Sequence, residues 1–410
     1  MIVQNQHEIL EPSQQRAIRR ILQQWGEPVQ EEMVYMKYCS RCLQPDTRPN
    51  SKFVNDLCPV CTFHLHDFQT TWNERLELTH KVIDQHKNKA QNYDAILGVS
   101  GGKDSIKLAL WARDYFDLRI LLVTVSYPPE QATKRGTNNM SQLANLGFDV
   151  LSVQPSPIVW KELMKVGFKK HGNWAKSTEM ALFSGVPQIA IAQKIPLILW
   201  GENPGAQLGD LATMSADGWD GNKLRNLNTL SGGIDDLLEE TNFKKDDVRP
   251  YIYPTEQEFK NNNIQIVYLG WAMNNWGLFE NGLFSSFVNL EGREDGPSNT
   301  QDLLGITSLD EDWVTLNQMI KFYKYGFGRA TDYVNEWIRA NRLSRMEGAQ
   351  LVEFYDGVCS DEYIESFCKY LEITNHEFWE IVNRFTNKKL FSIQENDRPK
   401  KLFKVGVGIL

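Results

Sequence analysis

The sequence has no long apolar run. Its longest apolar stretches, such as 195–200, fall far short of the roughly 20 residues a membrane-spanning helix needs, so none is expected. The N-terminus has no apolar core of the secretory type, which leads us to expect a cytoplasmic protein. Basic residues are not in surplus: 44 Lys and Arg face 52 Asp and Glu, for a formal charge of −8. Neutralising phosphates takes surplus Lys and Arg, so nucleic acid is not an expected partner, although a local basic patch stays compatible with this charge. Six cysteines in 410 residues are too few for a disulfide scaffold. Internal repeats and low-complexity tracts are also missing. What is present is ordinary globular material, 41% hydrophobic and 23% charged, long enough for two or three domains.

Four organisational units can be read along the chain. Residues 1–35 form an extension in which Ile18, Ile21, Leu22 and Trp25 share a helix face, with Gly26 and Pro28 as stop signals. Residues 36–68 hold four of the six cysteines. From 69 to 305, short apolar runs at 94–100, 119–127, 148–153, 196–201 and 264–271 alternate with helical patterns at 106–115, 133–146, 157–168 and 179–194. Near-continuous apolar strands alternating with helices predict an α/β fold, a doubly wound parallel sheet covered on both faces. Residues 203–262 break this alternation. They are rich in Gly, Asn and Asp and read as a partly irregular insertion near the site. Residues 306–410 are expected to be a helical C-terminal region, with Val334, Trp337 and Ile338 at helix spacing.

Two motifs carry chemistry. Ser100-Gly101-Gly102-Lys103-Asp104-Ser105 follows an apolar strand and precedes a helix. Two glycines allow a tight turn that turns amides toward an anion, the helix start adds its dipole, and Lys103 adds a charge. The spacing is neither Walker A nor G-x-G-x-x-G. A plain glycine turn is the bland alternative. The hexapeptide resembles the PP-loop of N-type ATP pyrophosphatases, which include asparagine, GMP and NAD synthetases and tRNA-thiolating enzymes. That resemblance implies that 100–105 grip the pyrophosphate of ATP and Asp104 helps hold Mg2+, with Val125 and Ser126 bordering the adenine.

Cys39-x2-Cys42 and Cys58-x2-Cys61, 15 residues apart, have the spacing of a four-thiolate zinc site that folds a small ribbon. His64 and His66 are alternative ligands on paper but read better as surface histidines. Cys359 and Cys368 read as small buried residues.

Together the segments KYCSRCLQPDTRPN…CPVC, SGGKDS and GNWAKSTEMALFSGVPQIAIAQKIPLILWGEN resemble the N-acetyl sugar amidotransferases of surface-polysaccharide and flagellin-glycan pathways, over about residues 36–385. The resemblance implies ATP-dependent conversion of a sugar acetamido group to acetamidino, with AMP and pyrophosphate released. Lys176, Thr178 and Glu179, at a helix start, face either the ligand or nothing more than the helix cap. Glu202 and Asn203 follow the 196–201 strand, where ligands of open α/β sheets bind. Arg329 and Asp332 match a further motif of the resemblance, although a helix start with a satisfied salt bridge is the preferred reading. No Gly-rich nucleophile elbow surrounds a spare cysteine, so a separate glutaminase subunit is the expected ammonia donor, and an acetamido sugar the expected substrate. A PP-loop tRNA thiolase and a non-catalytic zinc adaptor are the competing readings.

Overall fold

The computed structural model describes residues 36–66, 70–201, 207, 209, 213, 218–393 and 398–409. The helix expected within 1–35, and Glu202 and Asn203, lie outside the described residues.

The centre is a five-stranded, wholly parallel sheet: β1 (Ala95–Gly98), β2 (Ile120–Val125), β3 (Asp149–Val153), β4 (Leu197–Trp200) and β5 (Gln265–Tyr268). The order is β3-β2-β1-β4-β5, with Leu97 opposite Leu122 on one side and Leu199 on the other. Alternation along β1 explains the burial of both faces. Ala95 and Leu97 enter one apolar cluster, whereas Ile96 enters another. The first cluster is closed by Ile83 of α2 (Trp72–Asp84) and by Ile106 and Ala109 of α3 (Lys103–Asp114), and the second by Val186 and Ala190 of α6 (Ala175–Gln193). Between them in sequence lie α4 (Lys134–Asn145) and α5 (Pro157–His171). The doubly wound sheet read from the sequence is what the chain forms.

Preceding the sheet, the cysteine module ends in α1 (Pro59–His66). Within the 203–262 insertion, the described part forms 3-10 turns at Asn222–Asn226, Asn228–Leu230 and Lys245–Tyr251 and two short helices, α7 (Asp235–Leu238) and α8 (Glu256–Asn261). After β5 come α9 (Leu278–Ser286), α10 (Pro297–Thr300), α11 (Val314–Tyr325), α12 (Arg329–Arg339), α13 (Arg345–Tyr355), α14 (Asp361–Leu371) and α15 (Asn375–Phe385). Ser344 and Thr374 close capping boxes at α13 and α15, a local reason why these helices start where they do.

Three boundaries differ from expectation. The helix expected from 179 begins at Ala175. The last strand stops at Tyr268 and tightens into a 3-10 turn at Leu269–Ala272. The helical C-terminal region ends in two small hairpins, β6 (Phe391–Ser392) with β7 (Lys400–Lys401) and β8 (Phe403–Lys404) with β9 (Gly408–Ile409). Phe391 and Phe403 are buried there against Phe322 of α11, so tertiary burial rather than local pattern makes these strands.

Candidate functional site

The sheet order reverses between β1 and β4, and crevices at such switch points, outside the carboxyl ends of the strands, are where open α/β sheets take ligands. The Ser100–Ser105 loop leaves β1 there. Gly101 has φ +75°, a left-handed conformation that favours glycine, and a Cβ on it would lie 3.0 Å from the Met140 amide nitrogen. Gly102 is the N-cap of α3 and offers no capping side chain, so the first amides of the helix are left for an outside acceptor. Ser105 Oγ accepts from the Ser100 amide at 3.1 Å and closes the loop on itself. Lys103 is 4% exposed, and its Nζ donates to Asp104 Oδ2 at 2.7 Å. Val125 is buried at the end of β2, and Ser126 Oγ shares a 2.6 Å hydrogen bond with Ser152 Oγ.

A second group of residues stands above this edge. Gly185 and Val186 of α6 pack against Val125 and Gly98, at the carboxyl ends of β2 and β1. The ten residues of α6 before them therefore overhang the edge by roughly 15 Å. Lys176 and Glu179 are on this overhang, and both grip the insertion: Lys176 Nζ donates to Ser231 O at 3.1 Å, and Thr229 Oγ1 donates to Glu179 at 2.6 Å. Burial pushes the Glu179 carboxyl upward. Thr178 is buried and donates to Ala175 O at 2.9 Å within its own helix, a structural contact. Among the described residues, no hydrogen bond or ion pair joins Lys176 or Glu179 to Lys103 or Asp104.

The helix α12 connects the two groups. Arg329 at its start is within electrostatic range of Glu179, and Glu336, two turns on, is within range of Lys103. Seven residues of helix span roughly 10 Å, and residues 329, 332, 333 and 336 share one face. The satisfied salt bridge expected at this helix start forms on Asp332, with Arg48 (2.8 Å) and Lys321 (2.9 Å) as its partners. Those two cations hold the Asp332 carboxyl down at about 2 despite burial. The Arg329 guanidinium has no hydrogen-bond partner among the described residues. Arg48, Lys321 and Thr229 escaped the sequence reading because each lies in a different segment and only the fold gathers them.

The four cysteines also converge. All four Sγ atoms lie within 4.8 Å of one another, and Cys42 and Cys58 Sγ are 3.7 Å apart. A tetrahedral ion with about 2.3 Å metal–sulfur bonds requires thiolates about 3.8 Å apart, so the set fits one mononuclear ion. A cubane cluster would put each thiolate on a separate iron, farther apart. The Cys58 and Cys61 amides donate to Cys39 and Cys58 Sγ at 3.3 and 3.4 Å, which stabilises thiolate charge. His64 is outside the cluster. It is half-buried rather than a surface residue, and burial, followed by Arg339, Arg41 and Arg75, lowers it to about 4. The side chain of His66 lies outside the described residues. The module is tied to the rest by Leu43 N donating to Asn335 Oδ1 (2.7 Å), by Arg41 to Arg339 O (3.1 Å), and by Arg48 to Asp332.

Fold and site define a doubly wound α/β protein with a lysine-bearing glycine loop at its switch point and a four-cysteine module whose geometry fits a metal ion. Comparison with known proteins adds a regional match: residues 281–405, from within α9 to the last hairpin, match the family described as LPS biosynthesis protein WbpG-like, C-terminal domain. None of the curated proteins matches the chain. Among solved structures, the chain is similar to the NH3-dependent NAD synthetase from Campylobacter jejuni in complex with the nitrate ion, at 17% identity and TM-score 0.25, over 45% of this chain and 80% of that one. It is also similar to the U34-tRNA thiolase NcsA from Methanococcus maripaludis with its [4Fe-4S] cluster, at 14% identity and TM-score 0.28, over 72% and 88%. No helix of the described residues is long and apolar enough to cross a membrane.

Proposed function

We propose that this chain is an ATP-dependent amidotransferase of surface-polysaccharide biosynthesis that turns a sugar acetamido group into an acetamidino group. The observation that carries the reading is the glycine loop at the switch point, with Lys103 and Asp104 held together beneath open helix amides. The regional match to an LPS biosynthesis family supports the pathway.

The chemistry runs in two steps. The acetamido oxygen attacks the α-phosphorus of ATP, the bond from that phosphorus to the bridging oxygen breaks, and pyrophosphate leaves. Ammonia then adds to the imidate carbon, the carbon–oxygen bond breaks, AMP leaves and one proton is shed. The loop amides and Lys103 stabilise charge on the departing pyrophosphate. Asp104 suits Mg2+, which is usually held by one or two carboxylates plus substrate phosphates. When bound, the ion would neutralise phosphate charge. Val125 and Ser126 border the adenine. Lys176, Glu179 and Arg329 are assigned to the sugar side, together with Glu202 and Asn203, which follow β4 in the sequence. In the cysteine module, Zn2+ bound by Cys39, Cys42, Cys58 and Cys61 is structural.

Ammonia is taken from a separate glutaminase subunit. Cys359 and Cys368 are both buried, and burial pushes each thiol up to about 12, so neither serves as a glutaminase nucleophile. Purified chain should release pyrophosphate from ATP only when an acetamido sugar is added, and should use ammonium far better than glutamine. Pyrophosphate release dependent on tRNA instead would overturn the reading.

A further inference from the structure

Lys107 lies one helical turn beyond Lys103 on α3, 2% exposed, among Ile106, Leu108 and Ala109. A buried ammonium is costly unless its protons find acceptors. Here they go to the Asn275 carbonyl and to Asn281 Oδ1 at 2.8 Å. No carboxylate pairs with it among the described residues; Glu280 and Asp104 act only at longer range, and burial lowers the ammonium to about 8. Packing alone does not account for this residue, because an apolar side chain would fill the space at lower cost.

Asn281, on α9, is 1% exposed. Because its Oδ1 accepts from Lys107, its amide orientation is fixed and its Nδ2 faces the other way. There it donates to Asp104 Oδ1 at 2.6 Å, while Asp104 Oδ2 accepts from Lys103 at 2.7 Å. One helical turn along α9, Ser285 Oγ donates to the Lys103 carbonyl at 2.7 Å. The first helix after β5 thus holds both charged residues of the loop.

We propose that Lys107 and Asn281 are positioning residues for Asp104: Lys107 locks the Asn281 amide, Asn281 holds Asp104 Oδ1, and Oδ2 is thereby kept free to turn toward Lys103 and a phosphate-bound Mg2+. This rests on the reading of Asp104 as a site residue. It assigns the α9 contact a role in the nucleotide site.

The substitution Asn281→Asp separates positioning from structure. It keeps the shape and still accepts from Lys107, now as an ion pair, but it presents an oxygen to Asp104 where an NH2 stood. Melting temperature and the Mg2+ dependence of binding of a fluorescent ATP analogue are measured on the full chain. The expected result is a folded variant melting near wild type whose Mg2+ half-saturation rises by about tenfold or more. Lys107→Met, which frees the amide to flip, should show a smaller rise of the same sign. Unchanged Mg2+ dependence in both folded variants would overturn the proposal, and so would loss of folding in both, since the network would then be structural only. Failure of the wild-type chain to bind the analogue counts against the loop reading itself and is seen in the control.

Discussion

Lys103 is nearly fully buried, with Asp104 as its direct partner, at the place where the sheet order reverses. On the proposed reading, a phosphate takes the place of Asp104 on Lys103. Lys103→Ala and Asp104→Ala should fold, because the loop's φ and the α3 helix do not depend on either side chain. AMP formation should fall by about 100-fold or more, the scale of losing one charge-stabilising donor; turnover within a few-fold of wild type would contradict the assignment. Another buried residue makes a pH prediction. Glu311 is 3% exposed and hydrogen-bonded by Gln131 and the Val314 amide, and burial, followed by Asp310, raises it to about 8. Its folded value lies above its unfolded one, so the folded state holds the extra proton. That contribution is complete below the unfolded value and is lost as pH rises toward 8. Urea unfolding at pH 6.5 and 8.5 should show wild type losing on the order of 2 kcal/mol more than Glu311→Gln. Equal losses would contradict the prediction.

At the scale of elements, the legible and the illegible separate by range. Apolar runs, the glycine loop and the cysteine pairs are local patterns, and each became the strand, turn or knuckle that its residues dictate. Asp332 shows the limit. Its helix was readable, but its partners Arg48 and Lys321 come from the cysteine module and α11, 284 and 11 residues away. Lys107 left a fainter signal, a lysine inside an apolar helical stretch, which no periodicity argument can assign to Asn281. The final hairpins follow from burial of Phe391 and Phe403, not from strand propensity. The cysteine module is the element whose removal tells most. Its ties to α12 through Leu43, Arg41 and Arg48 make it a support for the same helix that reaches Lys103. Metal analysis should find one Zn2+ per chain and no iron absorption. Cys58→Ala should lose the metal and lower the melting temperature by about 5 °C or more. Iron at stoichiometric levels, or an unchanged melting temperature, would contradict a structural zinc.

Across the whole molecule, α6 is tied to the 228–231 segment through Lys176 and Glu179, and α12 runs from the neighbourhood of Glu179 to that of Lys103. Arg329 and Glu336, the two ends of that reach, are roughly 10 Å apart along α12. The −8 chain thus keeps cations in this region in spite of its net charge, with Arg48 and Lys321 both paired to Asp332 and Lys103 to Asp104. On the proposed reading, the phosphates lie toward Lys103 and the acceptor toward Glu179 and Arg329. The most direct test is mass spectrometry of candidate acetamido sugars, free and nucleotide-linked, after incubation with the purified chain, ATP, Mg2+ and ammonium. The account predicts one sugar whose mass falls by the difference between an oxygen atom and an NH group, with AMP formed in equal amount. ATP cleavage to AMP with every sugar left unchanged in mass would contradict it.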